Sequence, residues 1–111
     1  MTDEPTIIEG TSNIFEDLGL PDAEIRLAKA ELARVIRRAI VDRGLTQREA
    51  ALVMGLKQPD VSDLMRGRLA RFSMERLELC LNHLDMDIRI QVASRPTWKA
   101  RAGLTVEFLP A

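Results

Sequence analysis

Apolar residues recur at intervals of three and four along the first long stretch of the chain, which is the spacing of one buried side of a helix. Pro21, Asp22 and Glu24 suit the start of that helix, because proline is tolerated in a first turn and acids favour the positive end of the helix dipole. Gly44 supplies a stop signal at its other end. The pattern predicts one long helix, with the following apolar positions: Ile25, Ala28, Leu32, Val35 or Ile36, and Ala39.

Two short helices are predicted next. Thr46 and Glu49 form a capping-box pair, in which each side chain accepts a hydrogen bond from the backbone of the other residue. Gly55 interrupts this helix nine residues after its cap. A further helix begins around residues 57–59 and stops before Gly67. Two such helices joined by a tight turn are the framework of a helix-turn-helix motif.

A fourth helix is predicted from Ser73 onward, with Phe72 and Leu77 as a hydrophobic staple at its start. After Leu84 the apolar period changes from helical to two, which is typical of a half-buried strand. The alternating positions are Met86, Ile88, Ile90 and Val92, followed after a loop by Leu104, Val106 and Phe108. We therefore expect a short C-terminal β-strand or hairpin, with Trp98 as a lid from the loop.

Composition favours one soluble, cytoplasmic domain. The 111 residues are 46% hydrophobic and 30% charged, and no apolar run approaches a membrane span. The single cysteine, Cys80, excludes an intrachain disulfide and is expected in the core, with His83 on the surface. We find no motif for catalysis, a metal or a cofactor, so we expect a protein that is not an enzyme.

The net charge of −1 hides an uneven distribution. From Met1 to Glu24 there are seven acids and no base, whereas Ile25 to His83 carries twelve Lys/Arg against seven Asp/Glu. A polyanion could bind the middle segment, because affinity follows the local field. We expect residues 1–13 to form a flexible acidic arm. This arm could contact a basic protein, shield the basic segment, or stay solvated.

The segment from Gln47 to Arg66 is the most specific signal in the chain. Ala51 is small where two helices approach closely, and Gly55 supplies a left-handed turn. Met54, Val61 and Leu64 face the core, which leaves an outward polar face on the second short helix: Pro59, Ser62, Asp63 and Arg66. Such a face can enter a DNA major groove. The alternative is an ordinary helical hairpin with a solvated face.

Residues 44–47 and 55–67 resemble the Cro/C1-type (XRE) helix-turn-helix family, and the wider pattern over Phe15 to Val92 is similar to its HigA-type antitoxin subset. The resemblance implies a mainly α, four- to five-helix, lambda-repressor-like DNA-binding domain with the C-terminal strand or hairpin added. We divide the chain into an arm at 1–13, the DNA-binding domain at 14–85 and a C-terminal dimerisation element at 86–111.

The resemblance also implies the DNA contacts. Gln47 stands where the family places a phosphate contact, Lys57 and Gln58 begin the recognition helix, and Arg66 and Arg68 are expected near backbone phosphates. The full predicted set is Thr46, Gln47, Lys57, Gln58, Pro59, Ser62, Asp63, Arg66 and Arg68. Pro59 departs from the family pattern by removing a donor. Asp60 and Asp63 depart from it by bringing negative charge near DNA, unless Asp60 favours the helix N-terminus.

The functional hypothesis is a transcriptional repressor that binds a palindromic double-stranded DNA operator as a homodimer, and that is the antitoxin of a type II pair regulating its own operon. The antitoxin subset implies a basic toxin of RelE or HigB type as partner. The predicted dimer contacts are Ile88, Ile90 and Val92. Two alternatives remain: a stand-alone phage- or plasmid-type XRE regulator, and a protein-interaction module that does not bind DNA.

Overall fold

Helices form where the apolar residues have helical spacing. The structure, a computed structural model, describes residues 22–109 of the chain. The predicted arm at 1–13 and the first residues of the predicted DNA-binding domain, 14–21, lie outside these residues. Within them there are four helices: α1 (Asp22–Asp42), α2 (Gln47–Met54), α3 (Gln58–Met65) and α4 (Met74–His83).

The first helix, α1, is the long element against which the others pack. Its buried side includes Leu32 and Ile36 of the core, and the helix contacts α3 and α4. It ends at Asp42, and Gly44 two residues later has a φ of +64°, the left-handed conformation that glycine adopts without a Cβ penalty. The Arg43 guanidinium, just beyond α1, donates to the carbonyl of Leu84 after α4. This hydrogen bond joins the ends of the two helices.

Local capping defines where α2 and α4 begin. The Thr46 hydroxyl accepts from the Glu49 amide at 3.1 Å, and the Glu49 carboxylate accepts from the Thr46 amide at 2.9 Å. Ser73 accepts from the Arg76 amide at 3.0 Å, and Phe72 beside it is buried. The predicted capping box and cap are thus confirmed. The core that the four helices enclose is aliphatic apart from Phe72, with these largest fully buried members: Phe72, Ile36, Ile40, Leu64, Leu77, Leu84, Val61 and Cys80.

The predicted C-terminal strand and hairpin are wrong for the described chain. No residue of 22–109 is in a strand, although 86–96 and 102–109 run without helical turns. A strand requires a hydrogen-bonded neighbour, and alternating apolar residues do not supply one. Met86 and Ile88 instead pack on the helical core, as do Leu104 and Val106. Between these two segments, Ile90 and Val92 are 77% and 92% exposed.

Membrane crossing finds no support among residues 22–109. Only α1 has the length to cross a bilayer, and charged side chains interrupt its sequence too often for a membrane span.

Candidate nucleic-acid interface

A left-handed glycine sets the angle between α2 and α3. Gly55 has φ +69° and ψ +31°, and its amide donates to the Ala51 carbonyl. The same carbonyl accepts from the Leu56 amide at 3.0 Å, and the Leu56 side chain is half-buried against the core. A Cβ on Gly55 would meet nothing within 4 Å, so glycine is needed for its backbone conformation and not for space. The turn is the one that the sequence predicts.

The third helix, α3, divides into an inner and an outer face. Val61 and Leu64 are fully buried, which fixes the helix against α1 and α2. Gln58, Pro59 and Arg66 are exposed on the other side. Ser62 and Asp63, also predicted to face outward, are half-buried. The outer face of α3 is therefore polar, narrow and held on a rigid support.

The other predicted contacts border this face along the chain. Thr46 and Gln47 are exposed at the start of α2, and Arg68 is exposed in the loop after α3. Lys57 is the N-cap residue of α3 and provides no side-chain hydrogen bond to it. All nine predicted DNA contacts thus lie on or beside α2 and α3, and seven of them are exposed. Their role in binding stays a prediction.

Asp60 does not bring unpaired negative charge to the interface. Its carboxylate accepts from Arg76 of α4 at 2.7 Å and from Arg71 at 3.2 Å, and its side chain is only 13% exposed. The hydrogen bond from Arg76, followed by weaker effects of Arg71, lowers the pKa of Asp60 even though burial raises it. The carboxylate therefore holds the first turn of α3 to the start of α4.

The other end of α3 is held by α1. Arg37 donates from Nη1 to the carbonyl of Leu64, at 3.3 Å, near the C-terminus of α3. A cation there also suits the negative end of the helix dipole. The predicted recognition helix is therefore held to α4 at its start and to α1 at its end.

Sequence reasoning missed Arg37 and Arg76, which hold α3, and Arg71, which pairs with Asp60 at the surface. Arg76 also lies over the buried Phe72 ring, with 4.6 Å between its Cζ atom and the ring centroid. Asp60 and Arg76 are sixteen residues apart, so no helical or strand period relates them. The one available signal was the excess of arginine over lysine, since arginine is the cation suited to bidentate and stacked contacts.

Two other predictions concerned residues away from this face. Cys80 is buried, and burial raises the pKa of its thiol, as expected of a core cysteine, while His83 is exposed. Trp98 is 81% exposed, so it is not the predicted lid. It lies in a turn closed by a 3.1 Å hydrogen bond from the Lys99 amide to the Pro96 carbonyl.

Known proteins share both the motif and the fold. A family model described as "Helix-turn-helix domain" matches residues 14–93. A solved structure named "Putative XRE Family Transcriptional Regulator" is 39% identical in sequence and has a TM-score of 0.77, with 80% of this chain and 100% of that chain covered. A search of curated proteins gave no match.

Proposed function

Because this chain belongs to the XRE family of helix-turn-helix transcriptional regulators, we propose that it represses transcription by binding a specific double-stranded DNA operator through α3. The observation that carries the proposal is the exposed polar face of α3, which begins at Gln58. A Gln side chain can bond adenine at N6 and N7 together, and Lys57 beside it can reach guanine or a phosphate.

Rigidity supports specific binding over a merely solvated face. The Gly55 turn, the Arg37 contact and the Asp60–Arg76 pair fix α3 before any DNA arrives. Side chains on such a helix lose little further freedom on binding, which favours affinity. An ordinary helical hairpin has no need of anchors at both ends of an eight-residue helix.

The experiment is selection of bound duplexes from a random DNA library, followed by sequencing. We expect a short palindrome whose half-sites lie about one helical turn apart, because two α3 helices of a symmetric dimer enter successive major grooves. Enrichment of no sequence would favour the protein-interaction alternative.

We also propose that the homodimer forms through the C-terminal segment. Ile90 is 77% exposed and Val92 is 92% exposed. The apolar residue before them in the alternating pattern, Ile88, packs on the core. Exposed β-branched side chains on an extended segment can be covered by the same segment of a second copy, which would also supply the missing strand neighbour.

The finer part of the proposal is the antitoxin role. Seven acids and no base lie between Met1 and Glu24. A toxin that acts on RNA or the ribosome is expected to be basic, so an acidic segment could steer and cover it. We propose Ile14, Phe15, Leu18 and Leu20 as the apolar anchors of this contact, and all four lie outside the described residues.

Neutralisation of growth arrest tests the antitoxin role, with the toxin gene sought as a small basic reading frame adjacent to this one. Deleting residues 1–13, and separately changing Phe15→Ala, should each weaken neutralisation while operator binding persists. Full neutralisation by both variants would remove the N-terminal segment from the toxin contact.

A further inference from the structure

We infer that Arg71, which lies outside the helix-turn-helix motif, is a phosphate contact of this interface, held beside the first turn of α3 by Asp60. The inference rests on the proposed DNA-binding function and adds a residue to it. Arg71 donates from Nη2 to Oδ1 of Asp60 at 3.2 Å. Asp60 lies in the same turn as Gln58 and Pro59, both of which are exposed. The guanidinium therefore lies beside the first turn of α3, on the side where Asp60 meets α4.

Asp60 does not need Arg71 for its own neutralisation. Arg76 already donates to the other carboxylate oxygen at the shorter distance of 2.7 Å. Its side chain is 37% exposed and lies over the Phe72 ring, so it is the fixed partner. Arg71 and Arg76 carry two positive charges against the single negative charge of Asp60, so the group of three has a net charge of +1. That charge belongs to the more exposed of the two arginines, Arg71.

Exposure and donor geometry then suit Arg71 to a phosphate. Its side chain is 74% exposed, so it stays accessible to a second partner while it is paired with Asp60. A guanidinium has five N–H donors, so it can also keep Asp60 on one nitrogen and give the others to a phosphate. Asp60 thus acts as a positioning residue for Arg71, and Arg76 as the support for Asp60.

The test compares the salt dependence of DNA binding by fluorescence anisotropy for wild type, Arg71→Gln, Arg71→Lys and Arg26→Gln. Arg26 is the matched control, because it is 73% exposed and pairs with Asp22 at 3.1 Å on α1. Loss of one phosphate contact should flatten the slope of log K against log salt by about 0.9. The affinity ratio of wild type to Arg71→Gln should then shrink about eightfold over a tenfold rise in salt.

Further readouts separate contact from structure. Arg71→Lys should restore the wild-type slope, and Arg26→Gln should keep it. Arg71→Gln should weaken binding to operator and random duplex by a similar factor, since phosphate contacts carry no sequence information. Its thermal midpoint should stay near that of wild type, whereas Arg76→Gln should lower it.

The inference is overturned if Arg71→Gln keeps the wild-type slope. It is also overturned if this variant lowers the thermal midpoint as far as Arg76→Gln does, because Arg71 would then be a structural residue. In both cases wild type still binds DNA, so the proposed function stands. If wild type binds no duplex at all, the proposed function itself fails.

Discussion

At the scale of single residues, one carboxylate links the stability of the fold to the placement of α3. Asp60 is 13% exposed and accepts from two guanidinium groups, and the pKa of its carboxyl is lowered chiefly by the hydrogen bond from Arg76. A carboxyl with a lowered pKa in the folded state stabilises the fold above its unfolded pKa of about 3.9, and this stabilisation is lost as pH falls through the folded pKa.

We therefore predict a pH-dependent effect of Asp60→Asn. The variant should melt at a lower temperature than wild type near neutral pH, and the gap should narrow as the pH falls below about 4. Circular dichroism melts across that range measure it. Asp42→Asn is the control. The Asp42 side chain is 61% exposed and pairs with Arg38, and exposed ion pairs contribute little to the free energy of unfolding. A gap that stays constant down to about pH 2 would contradict the account.

At the scale of elements, the sequence predicts what local signals encode. The start of α2 depends on Thr46 and Glu49, three residues apart, and the turn after it depends on Gly55 alone. Both were predictable because the interacting groups are neighbours in the chain. The pair of Asp60 and Arg76 was not, because the loop between α3 and α4 decides whether these residues meet.

The C-terminal segment fails as a strand for a related reason. Period-two alternation shows which side chains share a face, but it does not show what pairs with the backbone. Met86 and Ile88 pack against the core of this chain, whereas Ile90 and Val92 are exposed. The strand that pairs with this segment would have to belong to a second copy. We therefore predict that the segment forms backbone hydrogen bonds of a strand when the protein dimerises.

Serine at both exposed positions tests the dimer. Ile90→Ser with Val92→Ser should shift the monomer–dimer equilibrium toward monomer by about a thousandfold, because a symmetric dimer buries four such side chains and each contributes about 1 kcal/mol or more. Sedimentation measures this shift. Val41→Ser, at an α1 position that is 66% exposed, is the matched control. The thermal midpoint of the monomer should change little. A doubly substituted chain that dimerises as wild type does would place the interface on the helices.

At the scale of the whole molecule, charge is separated along the chain although its sum is only −1. The acid-only stretch ends at Glu24, just inside α1, while Lys57, Arg66 and Arg68 surround the outer face of α3. A polyanion therefore meets a local positive field despite the acidic pI of about 5.8. Arg71 extends that field to the α4 side of the recognition helix.

Recognition of base edges by Gln58 of α3 is measured by the binding of Gln58→Ala to the selected operator. We predict a loss of about 1–3 kcal/mol per contact, concentrated at one base-pair position of each half-site, with random-duplex affinity unchanged. Arg26→Gln, on the exposed side of α1, should bind as wild type does. If Gln58→Ala discriminates all operator positions as wild type does, α3 is not the helix that reads the DNA.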